Sequence, residues 1–181
     1  WTKLIDPQGD NLDSYMQVGR AYYTGQDYEK ADSIFRVVLQ KSPDYIPAHL
    51  WLARTDAGMD PENKTDNART MFMNLIHAAE SDSIGNKAEI AEALRFLGSY
   101  YLNTNNHSIA RDFYNRLLNL DPNDKNNKIS AYNGLGAIEM MSVSNQKTIE
   151  GRLAALARSR EAYQQILAFD PNNASAKRQI E

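Results

Sequence analysis

The stretch that decides the fold is GRAYYTGQDYEKADSIFRVVLQKSP, Gly19 to Pro43. Gly19, Tyr22, Ala31, Phe35 and Pro43 stand at relative offsets 0, 3, 12, 16 and 24, with Tyr15 and Val18 just upstream. The same offsets return at Gly98, Tyr101, Ala110, Tyr114 and Pro122, preceded by Leu94 and Leu97. Tyr15, Val18, Gly19 and Tyr22 follow the i, i+3, i+4, i+7 spacing that places side chains on one helix face. Tyr28, Ala31, Ile34, Phe35, Val38 and Leu39 make the matching face of a second helix. Gly19 and Gly98 sit mid-helix at a propensity cost of about 1 kcal/mol relative to Ala, which close helix packing has to offset. Pro43 cannot continue a helix and closes the unit.

A helix–turn–helix unit carrying these residues at these offsets resembles the tetratricopeptide repeat, whose period is about 34 residues. The resemblance implies an all-α fold, a right-handed α-solenoid with a C-terminal capping helix. Nearly the whole chain, residues 1–181, reads as one such domain. Residues 1–7 read as the end of a preceding helix, and repeats follow at about 12–45, 46–80, 91–124 and 129–171, with a capping helix over 173–181. The chain starts at Trp1 rather than Met and reads as a segment of a longer polypeptide. In repeat one, Asp10, Asn11 or Asp13 is the expected N-cap, and Gly25 is the turn residue expected at positive φ.

Repeats two and four depart from the pattern. Each replaces the Tyr of the first helix with an acid, Asp56 or Glu139, and each has an enlarged middle: the turn GMDPENKTDN in one, a second helix lengthened to about 147–169 in the other. Both carboxylates are expected to accept hydrogen bonds from free backbone N–H groups of their own turn or of the next helix's N-terminus.

Composition excludes several classes. Net charge is −3, so there is no basic footprint for nucleic acid. No apolar run reaches the roughly 20 residues that span a bilayer. The chain has no Cys, which removes thiolate catalysis, disulfides and Cys-bound zinc. His49 and His107 fall in packing slots and His77 should face solvent, so no metal site and no cofactor are expected. DPNDKNNK (121–128) lacks the Gly and the terminal Glu of a calcium loop. Asn63, Asn106 and Asn173 open glycosylation tripeptides, which matter only in a eukaryotic secretory setting. No nucleophile elbow or phosphate-cradling Gly loop occurs, and the chain reads as no enzyme.

The resemblance implies that the first helices line a concave face. The positions there that packing leaves over are Asp13, Met16, Gln17, Arg20 and Tyr23, then Leu50, Trp51 and Arg54, then Glu92, Arg95, Phe96 and Ser99, and last Asn133, Ala137 and Met140. Arg20, Tyr23, Trp51, Arg54, Arg95 and Phe96 are the candidate partner-binding residues, because Tyr, Trp, Phe and Arg on one surface have the composition of an interaction hot spot. An extended peptide with an acidic group and an apolar anchor suits that wall, although Trp51 and Phe96 equally suit a role as filler of a narrow groove. The Lys/Asn carboxylate clamp of some family members is absent: Met16, Arg20, Trp51, Glu92 and Phe96 occupy the comparable slots. A second candidate surface is the stripe Ile149, Leu153 and Leu156 on the last long helix, covered either by Met140, Met141 and Val143 or by a partner or second copy of the chain.

These readings point to a non-catalytic protein- or peptide-binding scaffold. A ligand- or signal-peptide-sensing regulatory module and an accessory interaction domain of a longer protein are the alternatives. The Asn-rich turns and absent Cys resemble envelope-associated bacterial repeat proteins, which would place the chain in the periplasm or cell envelope.

Overall fold

The computed structural model describes residues 11–180, and residues 1–7, read above as the end of a preceding helix, lie outside them. Nine α-helices follow one another among the described residues: α1 (Leu12–Thr24), α2 (Tyr28–Lys41), α3 (Ile46–Met59), α4 (Asn67–Ala79), α5 (Lys87–Asn103), α6 (His107–Leu120), α7 (Lys125–Ser142), α8 (Ile149–Phe169) and α9 (Ala174–Ile180). No β-strand occurs among those residues. The architecture is an all-α solenoid of helix–turn–helix pairs. The described residues up to 93 and those from 94 onward form two compact units, with α5 beginning in the first and continuing into the second.

Local chemistry sets the helix ends. Asn11 caps α1 by accepting from the Asp13 amide at 3.0 Å. The α1–α2 turn is a Schellman closure: the Gln26 amide donates to the Tyr23 carbonyl and the Asp27 amide to the Tyr22 carbonyl, both at 2.9 Å. The residue at positive φ is Gln26, at 61°, not Gly25, whose φ is −77°. The α5–α6 turn repeats this bond for bond, with Asn105 at φ 59°. The left-handed position is thus one residue later than the glycine suggests, and a Gly at the C-cap does not reveal it. Asp27 then caps α2 through its own side chain.

The hairpins are held by rings set onto glycines. A Cβ on Gly19 would stand 2.5 Å from the Phe35 ring, one on Gly98 2.7 Å from Tyr114, and one on Gly136 2.8 Å from Tyr163. In each pair the glycine lies on the first helix and the ring on the second. Consecutive repeats are locked in the same way. In the first unit Tyr28 of α2 lies 2.8 Å from where a Gly58 Cβ would stand. In the second, Tyr114 is wedged between Gly98 of α5 and Gly134 of α7. Ala53 replaces the glycine in repeat two, and both Ala53 and Phe72 are buried there.

The core of the first unit gathers Met16, Ala31, Phe35, Val38, Ala48 and Leu52. Met16 and Leu50, read from sequence as groove positions, are buried instead at 2% and 8% exposure. The apolar arc of these helices is wider than two contact ridges, because each is enclosed by its hairpin partner and by the following pair. At the other end α9, capped by Asn173 accepting from the Ala176 amide, lays Ala176 on Tyr163 and Ile166.

Gly134→Ala should separate the two demands on such a glycine. Helix propensity alone predicts a gain of about 1 kcal/mol, whereas the collision with the Tyr114 ring predicts a net loss of about 1–2 kcal/mol. Denaturant unfolding is expected to show the loss, and in a Tyr114→Ala background the same substitution should turn neutral or stabilising.

Candidate interaction surface

In the first unit, α1 and α3 bring Arg20, Tyr23, Trp51 and Arg54 together. Trp51 and Arg54 lie one turn apart on α3, and the Arg54 guanidinium sits 4.8 Å from the Trp51 ring centroid. Arg20, exposed on α1, sets its guanidinium 5.2 Å from the same centroid. Tyr23 meets Trp51 edge to face at 5.2 Å, and Phe35 of α2 stacks on it at 6.2 Å from the core side. Trp51 is half-buried and touches both the apolar core and two cations. Guanidinium–indole contacts at partly exposed sites contribute about 0.5–1 kcal/mol each.

The two arginines differ in what else they hold. Arg54 is bound bidentately by Glu92 of α5, Nε to Oε1 and Nη2 to Oε2, each at 2.6 Å. That pairing raises the Arg54 pKa, burial opposing it. Arg20 has no carboxylate partner among the described residues. Arg95 and Phe96 lie one turn further along α5, in the second unit, where Arg95 donates to Asn127 Oδ1 at 2.7 Å and Phe96 stacks against Tyr100 at 6.5 Å.

The acids that replace the first-helix Tyr behave differently from the sequence-based expectation. Neither accepts from the backbone of its turn. In repeat two that role belongs to Asp60, whose carboxylate accepts from the amides of Lys64 at 2.9 Å and Thr65 at 2.5 Å. These bonds hold the Asp60 carboxyl below its usual range. Asp56 is 2% exposed and its Oδ2 has no hydrogen-bond partner. Burial pushes its pKa up, the Asp32 charge adds to the rise, and Arg36 opposes it. Glu139, 6% exposed, accepts from Arg111 Nη2 at 2.5 Å and Arg158 Nε at 2.7 Å. Burial alone would raise its pKa, but the bonds from Arg158 and Arg111 outweigh that and hold it low.

One slot contributes to the contrast. Asp32 follows Ala31 as Arg111 follows Ala110, so the same place on the preceding second helix presents an acid to Asp56 and a base to Glu139. The residue after the Ala at the recurring offset was a signal in the sequence for Asp32 and Arg111, but not for Arg158 of α8. His49 and His107 are half-buried, His49 Nε2 lying 2.7 Å from the Pro43 carbonyl, and His77 is exposed beside Glu80. No grouping of side chains suited to a metal ion occurs among the described residues, and none of their helices is long and apolar enough to cross a membrane.

On α8, Ile149, Leu153 and Leu156 are 73%, 61% and 40% exposed. Of Met140, Met141 and Val143, offered from sequence as one possible cover beside a partner or second copy, the two methionines are themselves 40% and 46% exposed and Val143 is half-buried. α7 ends at Ser142 and the chain turns through a short 3-10 segment (Val143–Asn145) before α8 begins, and the stripe stays largely exposed.

Paired antiparallel helices with rings notched into glycines define the class, a helical-repeat protein. Two stretches, residues 13–45 and 91–124, each match a family model described as tetratricopeptide repeat, and the chain is a tetratricopeptide-repeat protein. The C-terminal part of a TPR repeat-containing protein from Cytophaga hutchinsonii is similar at 30% identity and TM-score 0.64, over 70% of this chain and 49% of that one. MamA aligns with TM-score 0.67 at 22% identity over 96% and 80% of the two chains, and PilF of Pseudomonas aeruginosa with 0.60 at 19% over 93% and 65%. These two likenesses concern the fold alone. Superkiller complex protein 3 of Mus musculus is 25% identical over 138 residues, 76% of this chain, which spans 8% of that protein's length.

The opposed acids give a pH test with opposite signs. A carboxyl held low stabilises the fold above its unfolded value and loses that contribution as pH falls through its folded value. A carboxyl pushed up costs stability above its folded value, and the cost vanishes as pH falls to the unfolded value. Glu139→Gln should therefore lower stability at pH 7 by about 1–2 kcal/mol and become neutral in acid. Asp56→Asn should raise stability at pH 7 and likewise become neutral in acid. Urea unfolding between pH 7 and pH 3 checks both.

Proposed function

We propose that the chain is a non-catalytic scaffold that holds an extended peptide against the first-helix face of its N-terminal unit, through Arg20, Tyr23 and Trp51. Tetratricopeptide repeats support a protein-interaction role. The single observation that carries the finer reading is Arg20: an exposed guanidinium held in place over an indole, with its charge not met by a carboxylate among the described residues. Arg54 acts differently. Its fork is filled by Glu92, so it fixes the indole and the α3–α5 spacing rather than receiving a ligand. An acidic side chain or terminal carboxylate reaching Arg20, with an apolar residue lying on the open part of Trp51 and Tyr23, matches what these groups offer.

A closed pocket around Trp51 would favour the sensor reading over the scaffold. The indole here is packed by Tyr23, Phe35 and both guanidinium groups, and it offers a flank rather than a chamber. That favours the scaffold.

The test uses a pool of extended decapeptides, each pairing a Leu or Phe with a nearby Asp or Glu, read by fluorescence polarisation. Arg20→Glu is the informative variant because Arg20 is exposed and its change leaves the core intact. Binders are expected to lose about tenfold or more in affinity, as for a charged hot-spot contact, while the melting temperature falls by no more than a few degrees. Equal affinity for the unmodified chain and the variant, or equal binding of peptides whose acids are replaced by Asn or Gln, would contradict the reading.

A further inference from the structure

An ion pair between the first helices of consecutive repeats is complete at one junction of this chain and half-present at another. Arg54 stands one residue after Ala53, the small-residue slot of α3, and Glu92 stands six residues before Gly98, the same slot of α5. The two meet as a fork, Nε to Oε1 and Nη2 to Oε2, each at 2.6 Å. Counted from Gly19, Arg20 of α1 holds the position of Arg54. Counted from Ala53, Pro47 of α3 holds the position of Glu92. At the following junction both positions are serines, Ser99 and Ser130. Of these three junctions, the one between α1 and α3 keeps the base and lacks the acid.

Arg20 reaches the part of α3 that this equivalence requires. Its guanidinium carbon lies 5.2 Å from the centroid of the Trp51 ring. Trp51 follows Pro47 by one helical turn, i to i+4, on the same face of α3. Pro47 is half-buried in the first turn of that helix, where a missing amide costs no helix bond and the side chain brings no acceptor. Arg20 itself is exposed and has no carboxylate partner among the described residues.

We propose that Arg20 is a vacated repeat-to-repeat ion-pair seat, and that the carboxylate of the ligand completes it beside Pro47 as Glu92 completes Arg54. The inference rests on the peptide-binding reading above and deepens it by naming where the acidic contact falls and which chemistry it takes. The fork accepts the two oxygens of one carboxylate in its own plane, and the indole a turn further along α3 takes the neighbouring apolar residue. Position 47 then determines specificity: an acid there satisfies Arg20 from within the chain and closes the seat to a ligand. An internal Glu and a terminal carboxylate supply the same two oxygens.

Pro47→Glu tests this, with Pro47→Gln as the control for losing the proline ring. Without ligand, Pro47→Glu is expected to melt about 1–3 °C above Pro47→Gln, the size of a partly exposed ion pair in a chain of this length. That difference should shrink in an Arg20→Gln background, which removes the pair and keeps any effect of an acid on the helix N-terminus. Two fluorescein-labelled decapeptides then serve as ligands, both with a Leu near the acid. One has an internal Glu and an amidated end; the other has Gln in its place and a free terminal carboxylate. In polarisation titrations at least one is expected to bind, and the one that does identifies the source of the carboxylate. Pro47→Glu should weaken that binding about tenfold or more, while Pro47→Gln leaves it within about twofold. Full affinity in Pro47→Glu, together with loss in Arg20→Glu, would overturn the seat and leave the scaffold reading standing. Binding of neither peptide would sink both. A melting difference between Pro47→Glu and Pro47→Gln that ignores Arg20 would overturn the seat whatever the peptides do.

Discussion

An aromatic ring seated on a glycine of the neighbouring helix is the contact on which the rest of this structure depends. Each amphipathic helix alone exposes an apolar stripe, and a two-helix unit still leaves one flank uncovered. Phe35 on Gly19, Tyr114 on Gly98 and Tyr163 on Gly136 bring the two helices of a hairpin close enough to exclude water from the seam. Tyr28 on Gly58 and Tyr114 on Gly134 apply the same device between one hairpin and the next. The glycines cost helix propensity, and the rings return it by filling the notch.

Once the seams are closed, what remains for recognition is small. On the first-helix face of the N-terminal unit, Trp51 is anchored by Phe35 beneath and steadied by Arg54, which Glu92 holds in turn. The result is a rigid indole flank with one further cation, Arg20, beside it. In the C-terminal unit the apolar track on α8 has no such lattice of its own and lies open between α7 and α9. The two surfaces therefore differ in kind: one is pre-ordered and cationic, the other apolar. Even the electrostatics under the surface are local. Asp56 and Glu139 occupy one repeat slot, yet burial, with the Asp32 charge, pushes the first pKa up, while the bonds from Arg158 and Arg111 hold the second low against burial.

Most of the fold was legible because its signal is periodic. The offsets of Gly19, Ala31, Phe35 and Pro43 carry helix phase, hairpin register and repeat length together, and the helix bounds follow from them within a few residues. What was not legible concerns partners that periodicity does not name. Gly25 looked like the left-handed residue, but the Schellman bonds place that role on Gln26. Asp56 and Glu139 looked like loop acceptors because their repeats have enlarged middles, whereas Asp60 does that work in repeat two and two arginines claim Glu139. Met16 and Leu50 fell on the groove side by helix phase alone, and the enclosing helices bury them. In the candidate site, residue types at Arg20, Tyr23, Trp51 and Arg54 were readable, but the fork of Arg54 being filled by Glu92 depends on a contact 38 residues away.

The most direct measurement is proton NMR of the glycine Hα resonances. The account predicts ring-current shifts to high field for Gly19, Gly98 and Gly136. It also predicts nuclear Overhauser contacts from the Phe35 ring to Gly19, and from the one Tyr114 ring to both Gly98 and Gly134. Glycine Hα signals at ordinary positions, with no ring contacts across the helices, would contradict it.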